Sequence, residues 1–407
     1  MTEAAAAAVA AAVDPFAPEH REDPYPAYEQ VRATGRVVWS EVQEAFLVTG
    51  YDDCLEVLRH PASSTNEDNA TVSARRAAAA EAPLIELAGK PMLFADPPDH
   101  TRLRGLVSKA FTPKTVEAMR PHIAEIVDRL LDHAAARGGD LDIVADLAFP
   151  LPVIVIAELL GVPLEDQEQL KPWSRDLART IDPVVSEETA NQAGLSALQF
   201  VNYLNALIEE RRAQPRDDLL SALIAAEEEG ERLLHSELLI MCMLLFVAGH
   251  ETTQNLIGNG MLALLRNPAE MQRLQDDPGL AKNAVEEMLR FDGPVQLTAR
   301  HLLDHAEVAG TPIPKGHTAI LVLGAAGRDP QVFEDPARFD VGRPNANRHI
   351  GFGHGIHFCL GAPLARAEAQ IALPALLRRF PAMKLAAEPE HRETFTLRGL
   401  ASLPVSV

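Results

Sequence analysis

The stretch that decides the fold is Gly351-Phe352-Gly353-His354-Gly355-Ile356-His357-Phe358-Cys359-Leu360-Gly361. Glycines surround a single cysteine, although each glycine costs chain entropy on folding. Such spacing is hard to explain by packing alone. It is expected where the backbone approaches a flat ligand closely and aims N–H groups at one sulfur atom. A helix predicted just after Cys359 would place the sulfur at a helix N-terminus, which lowers a thiol pKa and favours a thiolate ligand.

The same residues leave two other kinds of site open. A zinc site would use His349, His354, His357 and Cys359, and the four-residue gap between the first two is one that zinc sites use. A nucleophilic pair would join His357 to Cys359, although a separation of two residues does not by itself place imidazole beside sulfur. The other cysteines, Cys54 and Cys242, fall at apolar helical positions and are predicted to be packing residues.

Composition narrows the class of protein. The chain has 407 residues, a net charge of −21 and three cysteines. The negative charge argues against binding to nucleic acid or to an anionic membrane surface. Three cysteines cannot build a disulfide framework, so we expect a cytoplasmic protein. The most apolar run, Leu238–Gly249, is shorter than the ~20 residues that cross a bilayer, and we interpret it as a buried helix.

Apolar periodicity predicts a mainly α fold with a minor β part. Helices are predicted at 52–59, 98–111, 115–136, 145–160 with a break at Pro150 and Pro152, 196–214, 219–228, 236–266, 280–291 and 361–380. Short strands are predicted at 36–48, 295–323 and 393–407. Segment 236–266 is apolar nearly all round in its first half, so it should be a buried central helix.

The cysteine loop resembles the F-x-x-G-x-x-x-C-x-G haem-binding loop of the cytochrome P450 family, here as Phe352, Gly355, Cys359 and Gly361. The resemblance is to the soluble bacterial branch and covers nearly the whole chain. It implies a triangular helical prism with small β-sheets, in which haem b lies between the long central helix and the cysteine-loop helix. Because the family motifs must meet at one cofactor, we expect a single domain over 1–407, with a β-rich lobe at 30–60 and 295–325 together with 393–407.

The resemblance also assigns the cofactor-binding residues. Cys359 is the iron ligand, and Phe352, Gly353 and Gly361 belong to the loop around it. Two histidines and two arginines occupy family positions that hydrogen-bond the haem propionates. They are His100, Arg104, Arg300 and His357.

Inside the long helix, Ala248-Gly249 precedes His250-Glu251-Thr252. The small pair would let a planar cofactor lie against the backbone. Thr252 can hydrogen-bond the carbonyl of Ala248, which loosens the helical ladder locally. By resemblance, Thr252 is the alcohol through which protons reach the reacting oxygen, and Glu251 is the acid that feeds them from solvent.

A further motif is structural. Glu287 and Arg290 share a helix face. With Arg343 they resemble the buried Glu-Arg-Arg network of the family, which holds the segment leading to the cysteine loop.

The implied reaction is the insertion of one atom of O₂ into a hydrophobic small molecule, by hydroxylation or epoxidation. Candidate substrates are macrolide-like secondary metabolites, steroids and terpenoids. Segments 62–95 and 165–195 would form a lid over the pocket. The expected pocket residues are Met92, Leu93, Leu244, Leu245, Val295, Gln296, Leu397 and Leu400.

Two basic islands stand out against the net charge. Residues 98–120 hold five cations and two acids, and residues 341–380 hold five cations and one acid. We expect Arg102, Lys109 and Arg366 to form a docking patch for an acidic ferredoxin, and the protein to act as a monomer. A peroxide-driven enzyme and a haem sensor or carrier without activity remain alternatives.

Overall fold

The structure, a computed structural model, describes residues 10–70, 90–183, 185–228 and 233–407. Most of these residues are helical. The α-helices are α1 (Tyr25–Thr34), α2 (Tyr51–Arg59), α3 (Asp99–Val107), α4 (Pro113–Arg137), α5 (Pro150–Leu160), α6 (Gln167–Arg179), α7 (Glu187–Ala213), α8 (Leu219–Glu228), α9 (His235–Arg266), α10 (Pro268–Asp276), α11 (Ala281–Phe291), α12 (Leu323–Ala326) and α13 (Ala362–Arg379).

The strands are short and lie mainly at 37–64 and in the last third of the chain. They are β1 (Val37–Ser40), β2 (Ala45–Val48), β3 (Ser63–Ser64), β4 (Leu141–Asp142), β5 (Leu297–Leu302), β6 (Ala306–Val308), β7 (Thr311–Ile313), β8 (Thr318–Val322), β9 (Lys384–Leu385), β10 (Glu390–His391), β11 (Leu400–Ser402) and β12 (Pro404–Ser406). The predicted mainly α fold with a minor β part is confirmed.

The central helix α9 organises the largest hydrophobic core. It is buried along most of its length and packs against α5, α6, α11 and α13. By length and composition it could cross a membrane. However, its apolar side chains lie among those of neighbouring helices, as in the core helix of a soluble protein.

The largest sheet has the strand order β1-β2-β8-β5-β3. This sheet joins the hairpin at 37–48 to the segment at 297–322. Both segments lie within the bounds predicted for the β-rich lobe. The C-terminal strands lie elsewhere, because β12 pairs with β4 and β9 while β10 pairs with β11. An isolated bridge, Val295 with Leu397, links residues 393–407 to the segment before β5. The C-terminal strands themselves pair outside the largest sheet, and the single domain with its β-rich lobe stays a prediction.

Proline determines one helix boundary as expected. Val144–Ala148 form a π-helical turn, and α5 starts at Pro150, where the missing N–H is tolerated. Four helices were not predicted, namely α1, α6, α10 and the short α12. The segment of α1 is rich in proline and acid, so its sequence pattern did not predict a helix. In the structure Tyr25, Tyr28 and Val31 share one buried face, so tertiary packing decides its conformation.

Candidate active site

The cysteine loop is a tight connection between Ile350 and α13. Gly353 and Gly355 have φ angles of 69° and 72°, a left-handed conformation that favours glycine. These turns bring the N–H of Cys359 to 2.9 Å from the carbonyl oxygen of Phe352. Helix α13 then begins at Ala362, so Cys359 precedes a helix N-terminus as the sequence predicts.

The sequence predicted a lowered pKa for the Cys359 thiol. The surrounding protein, without a bound metal, instead raises this pKa. Burial raises the pKa of the thiol, and this effect outweighs the N–H groups of Gly361 and Ala362 and the charges of Arg104 and Arg366, which all lower it. The helix N-terminus therefore favours the thiolate without being sufficient to form it. A metal ion bound to the sulfur would supply the remaining stabilisation.

The loop histidines each have separate partners. His349 Nε2 lies 3.0 Å from Glu286 Oε2, His354 contacts Arg59, and His357 Nε2 lies 3.3 Å from Thr65 Oγ1. Within the described ranges, no group of three His, Cys, Asp or Glu side chains is arranged to hold a metal ion. The geometry thus gives no support to the zinc site or to a pair between His357 and Cys359.

The four residues predicted to bind propionates include a compact basic cluster. The rings of His100 and His357 have centroids 4.2 Å apart. Burial, then His100, Arg300 and Arg104, lower the pKa of His357 to about 3. Burial also lowers the pKa of Arg300 to about 10, against the opposing attraction of Asp96.

This cluster has the features of an anion site. Arg300 is 6% exposed and donates to Thr298 Oγ1 and to the carbonyl of Ala299. Among the described residues, the buried His100 Nε2 has no hydrogen-bond partner. In the part of the chain that is described, none of the four predicted residues forms an ion pair with a carboxylate. Buried cations are normally paired, so the donor set fits a ligand that brings its own carboxylates, as haem does.

Helix α9 has an open stripe along one side. Leu244, Ala248 and Thr252, spaced four residues apart, keep accessible surface while their neighbours Leu245, Val247 and Glu251 are buried. Thr252 Oγ1 donates to the carbonyl of Ala248 at 3.0 Å. The predicted local bond is therefore present, and Ala248 leaves room beside it.

Gly249 has a packing role that the sequence did not predict. A Cβ atom at this position would lie 2.8 Å from Cγ1 of Ile156. Gly249 therefore permits close packing of α9 on α5. The backbone of Gly249 keeps some accessible surface, and its contact with the cofactor stays a prediction.

Glu251 is buried and forms an ion pair that the sequence did not predict. Its carboxylate accepts a hydrogen bond from Arg392 and lies 3.6 Å from Nε2 of His250. Burial alone would raise the pKa of Glu251, but His250 and Arg392 lower it to about 2. Arg392 lies 141 positions further along the chain, so no local pattern could have indicated it.

The Glu-Arg-Arg network has the expected partners. Glu287 accepts from Arg290 at 2.6 and 2.8 Å and from Arg343 at 3.1 Å. All three side chains are almost fully buried. Arg290 and Arg343 also donate to backbone carbonyls of the segment at 327–338, so the network ties α11 to the chain that leads into the cysteine loop.

The predicted pocket residues fall into three groups. Leu93, Leu244 and Val295 keep accessible surface, whereas Met92, Leu245 and Leu397 are nearly covered. Gln296 and Leu400 are each 1% exposed, and their place in the pocket stays a prediction. The Gln296 amide donates to the carbonyl of Gly293 at 2.8 Å and packs against Gly324, and Leu400 packs towards Gly258 in the main core. Much of the predicted lid at 62–95 falls on residues 71–89, which lie outside the described residues.

The predicted docking patch is weaker than its cation count indicates. Arg102 is held by Glu237 at 2.6 and 2.9 Å, and Arg366 by Glu286 at 2.7 and 2.8 Å. Their charges are largely cancelled at the surface. Lys109 is exposed. Ile356, in the cysteine loop, is an apolar side chain that is 54% exposed.

Comparison with known proteins identifies what the chain is similar to. A family model described as cytochrome P450 matches residues 35–278 and 279–404. The cytochrome P450 monooxygenase PikC of Streptomyces venezuelae is 45% identical over 94% of the chain and 91% of its own length. The 6-deoxyerythronolide B hydroxylase of Saccharopolyspora erythraea is 39% identical over 94% and 96%. The ligand-free crystal structure of Mycobacterium smegmatis CYP164A2 superposes with a TM-score of 0.90 at 43% identity, covering 97% of this chain and 98% of that one.

Proposed function

Since the chain belongs to the cytochrome P450 family, we propose that Cys359 is the thiolate ligand of its haem and that His100, Arg104, Arg300 and His357 hold the propionates. The family uses protoporphyrin IX haem, and the protein is a monooxygenase of the bacterial type. The observation that carries the residue assignment is the buried basic cluster. Its cations have no carboxylate partner in the described chain, and the buried His100 Nε2 has no hydrogen-bond partner among the described residues.

The bound haem supplies a thiolate-ligated iron at which O₂ is reduced, so that one oxygen atom enters the substrate and the other leaves as water. The chain's own residues deliver the protons. Thr252 stands on the open stripe with its hydroxyl held by the Ala248 carbonyl, and it can turn that hydroxyl towards the stripe. Glu251, the next residue, receives protons from solvent when the Arg392 side chain, which is partly exposed, moves aside.

The substrate we propose is a hydrophobic small molecule, with a macrolide-like secondary metabolite as the first candidate and steroids or terpenoids as the others. Support comes from the apolar residues Leu93, Leu244 and Val295, which keep accessible surface. A relative at 39% identity is named as a hydroxylase of 6-deoxyerythronolide B. Apolar walls with few polar anchors favour ligands of this class.

We expect the electrons to come from an acidic ferredoxin in the cytoplasm. With Arg102 and Arg366 ion-paired, docking would depend on Lys109 and on the apolar Ile356 of the cysteine loop. Lys109→Glu should weaken ferredoxin-driven turnover and reduce its dependence on salt. Lys282→Glu, on another helix, is the control. Equal effects of the two changes would contradict this surface.

The experiment for the function is a spin-state titration of the ferric protein against macrolides, steroids, terpenoids and fatty acids. Compounds that shift the spectrum are then incubated with ferredoxin, its reductase and ¹⁸O₂. One labelled atom in the product supports the monooxygenase. Turnover with peroxide alone would favour the peroxide-driven enzyme, and binding without any product would favour a sensor or carrier.

A further inference from the structure

The carboxylate of Glu286 joins the two sides of the cysteine loop. Glu286 lies on α11, directly before Glu287 of the Glu-Arg-Arg network. It accepts two hydrogen bonds from Arg366 on α13, at 2.7 and 2.8 Å. It also lies 3.0 Å from Nε2 of His349, which precedes the loop. One acid therefore contacts the chain seven residues after Cys359 and ten residues before it.

The hydrogen bonds fix the form of His349. Its Nδ1 accepts from the backbone N–H of Gly351 at 3.1 Å. The proton of a neutral ring must then be on Nε2, where it is donated to Glu286. His349 is buried, and its ring lies 5.7 Å from that of Phe352. These contacts hold His349 and the start of the cysteine loop at a fixed position relative to α11.

Arg366 extends the connection to the cysteine. Its guanidinium lies 4.6 Å from the centroid of the Phe352 ring, and the carbonyl of Phe352 accepts from the N–H of Cys359 at 2.9 Å. The positive charge of Arg366 is close enough to Cys359 to favour the thiolate. Glu286 is mostly buried, and its negative charge counteracts the effect of Arg366 on the thiolate.

We propose that Glu286, His349 and Arg366 are positioning residues of the iron ligand, and that the balance of charge between Glu286 and Arg366 sets the reduction potential of the iron. The inference rests on Cys359 as the ligand, as proposed above. Reduction adds an electron to the iron, so a net positive change near the thiolate stabilises the reduced state and a net negative change destabilises it. Removing the acid and removing the arginine must therefore shift the potential in opposite directions.

The test uses haem-loaded Glu286→Gln, Arg366→Gln and the double variant. Reduction potentials are measured with mediators, and thiolate ligation is measured from the long-wavelength Soret band of the ferrous carbon monoxide complex. We expect a higher potential for Glu286→Gln, a lower one for Arg366→Gln and a value near the parent for the double variant. Glu237→Gln is the control, because its fork with Arg102 has nearly the same exposure and it lies on α9.

Shifts in the same direction, or a loss of the thiolate band with no shift of potential, would overturn the inference and leave a merely structural role. Arg366→Lys keeps the charge without the fork, so its potential should stay near that of the parent even where the thiolate band is reduced. This variant tests the charge if Glu286→Gln does not fold. If the parent itself lacks the thiolate band, the ligand assignment fails first, and that result is distinguishable from a failure of the charge balance.

Discussion

The rings of His100 and His357 lie 4.2 Å apart beside Arg300. None of these residues is ion-paired to a carboxylate in the described chain. Arg300, with a pKa of about 10, is the buried cation of this group, and a buried cation destabilises a protein until an anion joins it. The site is therefore built at the expense of the haem-free protein, and haem binding recovers that free energy.

Arg300→Gln should separate the two effects. We expect the haem-free variant to be more stable than the parent by about 1–3 kcal/mol, because an unsatisfied buried charge is removed. Its haem affinity should fall tenfold or more, because a charge-assisted hydrogen bond is lost. Denaturant unfolding of the haem-free protein and haem transfer to a scavenger measure the two. The control is Arg211→Gln, a buried arginine that is paired with Asp218 at 3.0 Å. It should destabilise the haem-free protein, and stabilisation by both changes would contradict the explanation.

Glu287→Ala should yield poorly folded protein without haem. The change leaves Arg290 and Arg343 buried without their carboxylate, which costs roughly 3–5 kcal/mol. Haem content per polypeptide and the midpoint of thermal unfolding measure the effect. Glu117→Gln removes an exposed partner of Arg120 and should change both by little. Normal haem content in Glu287→Ala would show that the cysteine loop does not depend on this network.

Thr252→Ala should keep haem and substrate binding while diverting reducing equivalents to peroxide. The hydroxyl on the open stripe is lost, and proton delivery to the reacting oxygen is lost with it. Peroxide and product are measured per electron consumed. Thr253→Ala is the matched control, since Thr253 Oγ1 makes the corresponding bond to the Gly249 carbonyl at 3.2 Å from a buried position. Equal uncoupling in both variants would contradict the role of Thr252.

Arg392→Gln tests the ion pair of Glu251 through pH. The pKa of Glu251 is lowered from 4.5 to about 2 in the folded protein. A carboxyl of lowered pKa contributes stability that is complete above pH 4.5 and is lost as the pH falls towards 2. The parent should therefore exceed the variant in free energy of unfolding at pH 7, and the difference should shrink below pH 4.5. Arg179→Gln, paired with the exposed Glu393, should show no such trend. A difference independent of pH would exclude the ion pair as its cause.

Sequence spacing predicted what lies within one element. The loop glycines, the buried helix α9 and the bond from Thr252 to Ala248 all depend on neighbours a few residues away. The contacts of Arg392 and Ile156 with α9 were missed, because these residues reach α9 only through the packing of distant segments. The same limit applies to Cys359, where the helix N-terminus was visible in the sequence but the larger effect of burial was not.

At Gly249, packing against Ile156 and contact with the cofactor predict different results for the same substitution. Gly249→Ala would place a Cβ atom 2.8 Å from Cγ1 of Ile156, and overpacking of this kind costs roughly 1–3 kcal/mol. We expect the double variant Gly249→Ala with Ile156→Ala to lose less stability than the sum of the two single losses, since the clashing atoms are removed. Denaturant unfolding of the parent, both single variants and the double variant gives the coupling free energy. If Gly249 faced the cofactor instead, Gly249→Ala would lower haem affinity and the change at Ile156 would not restore it.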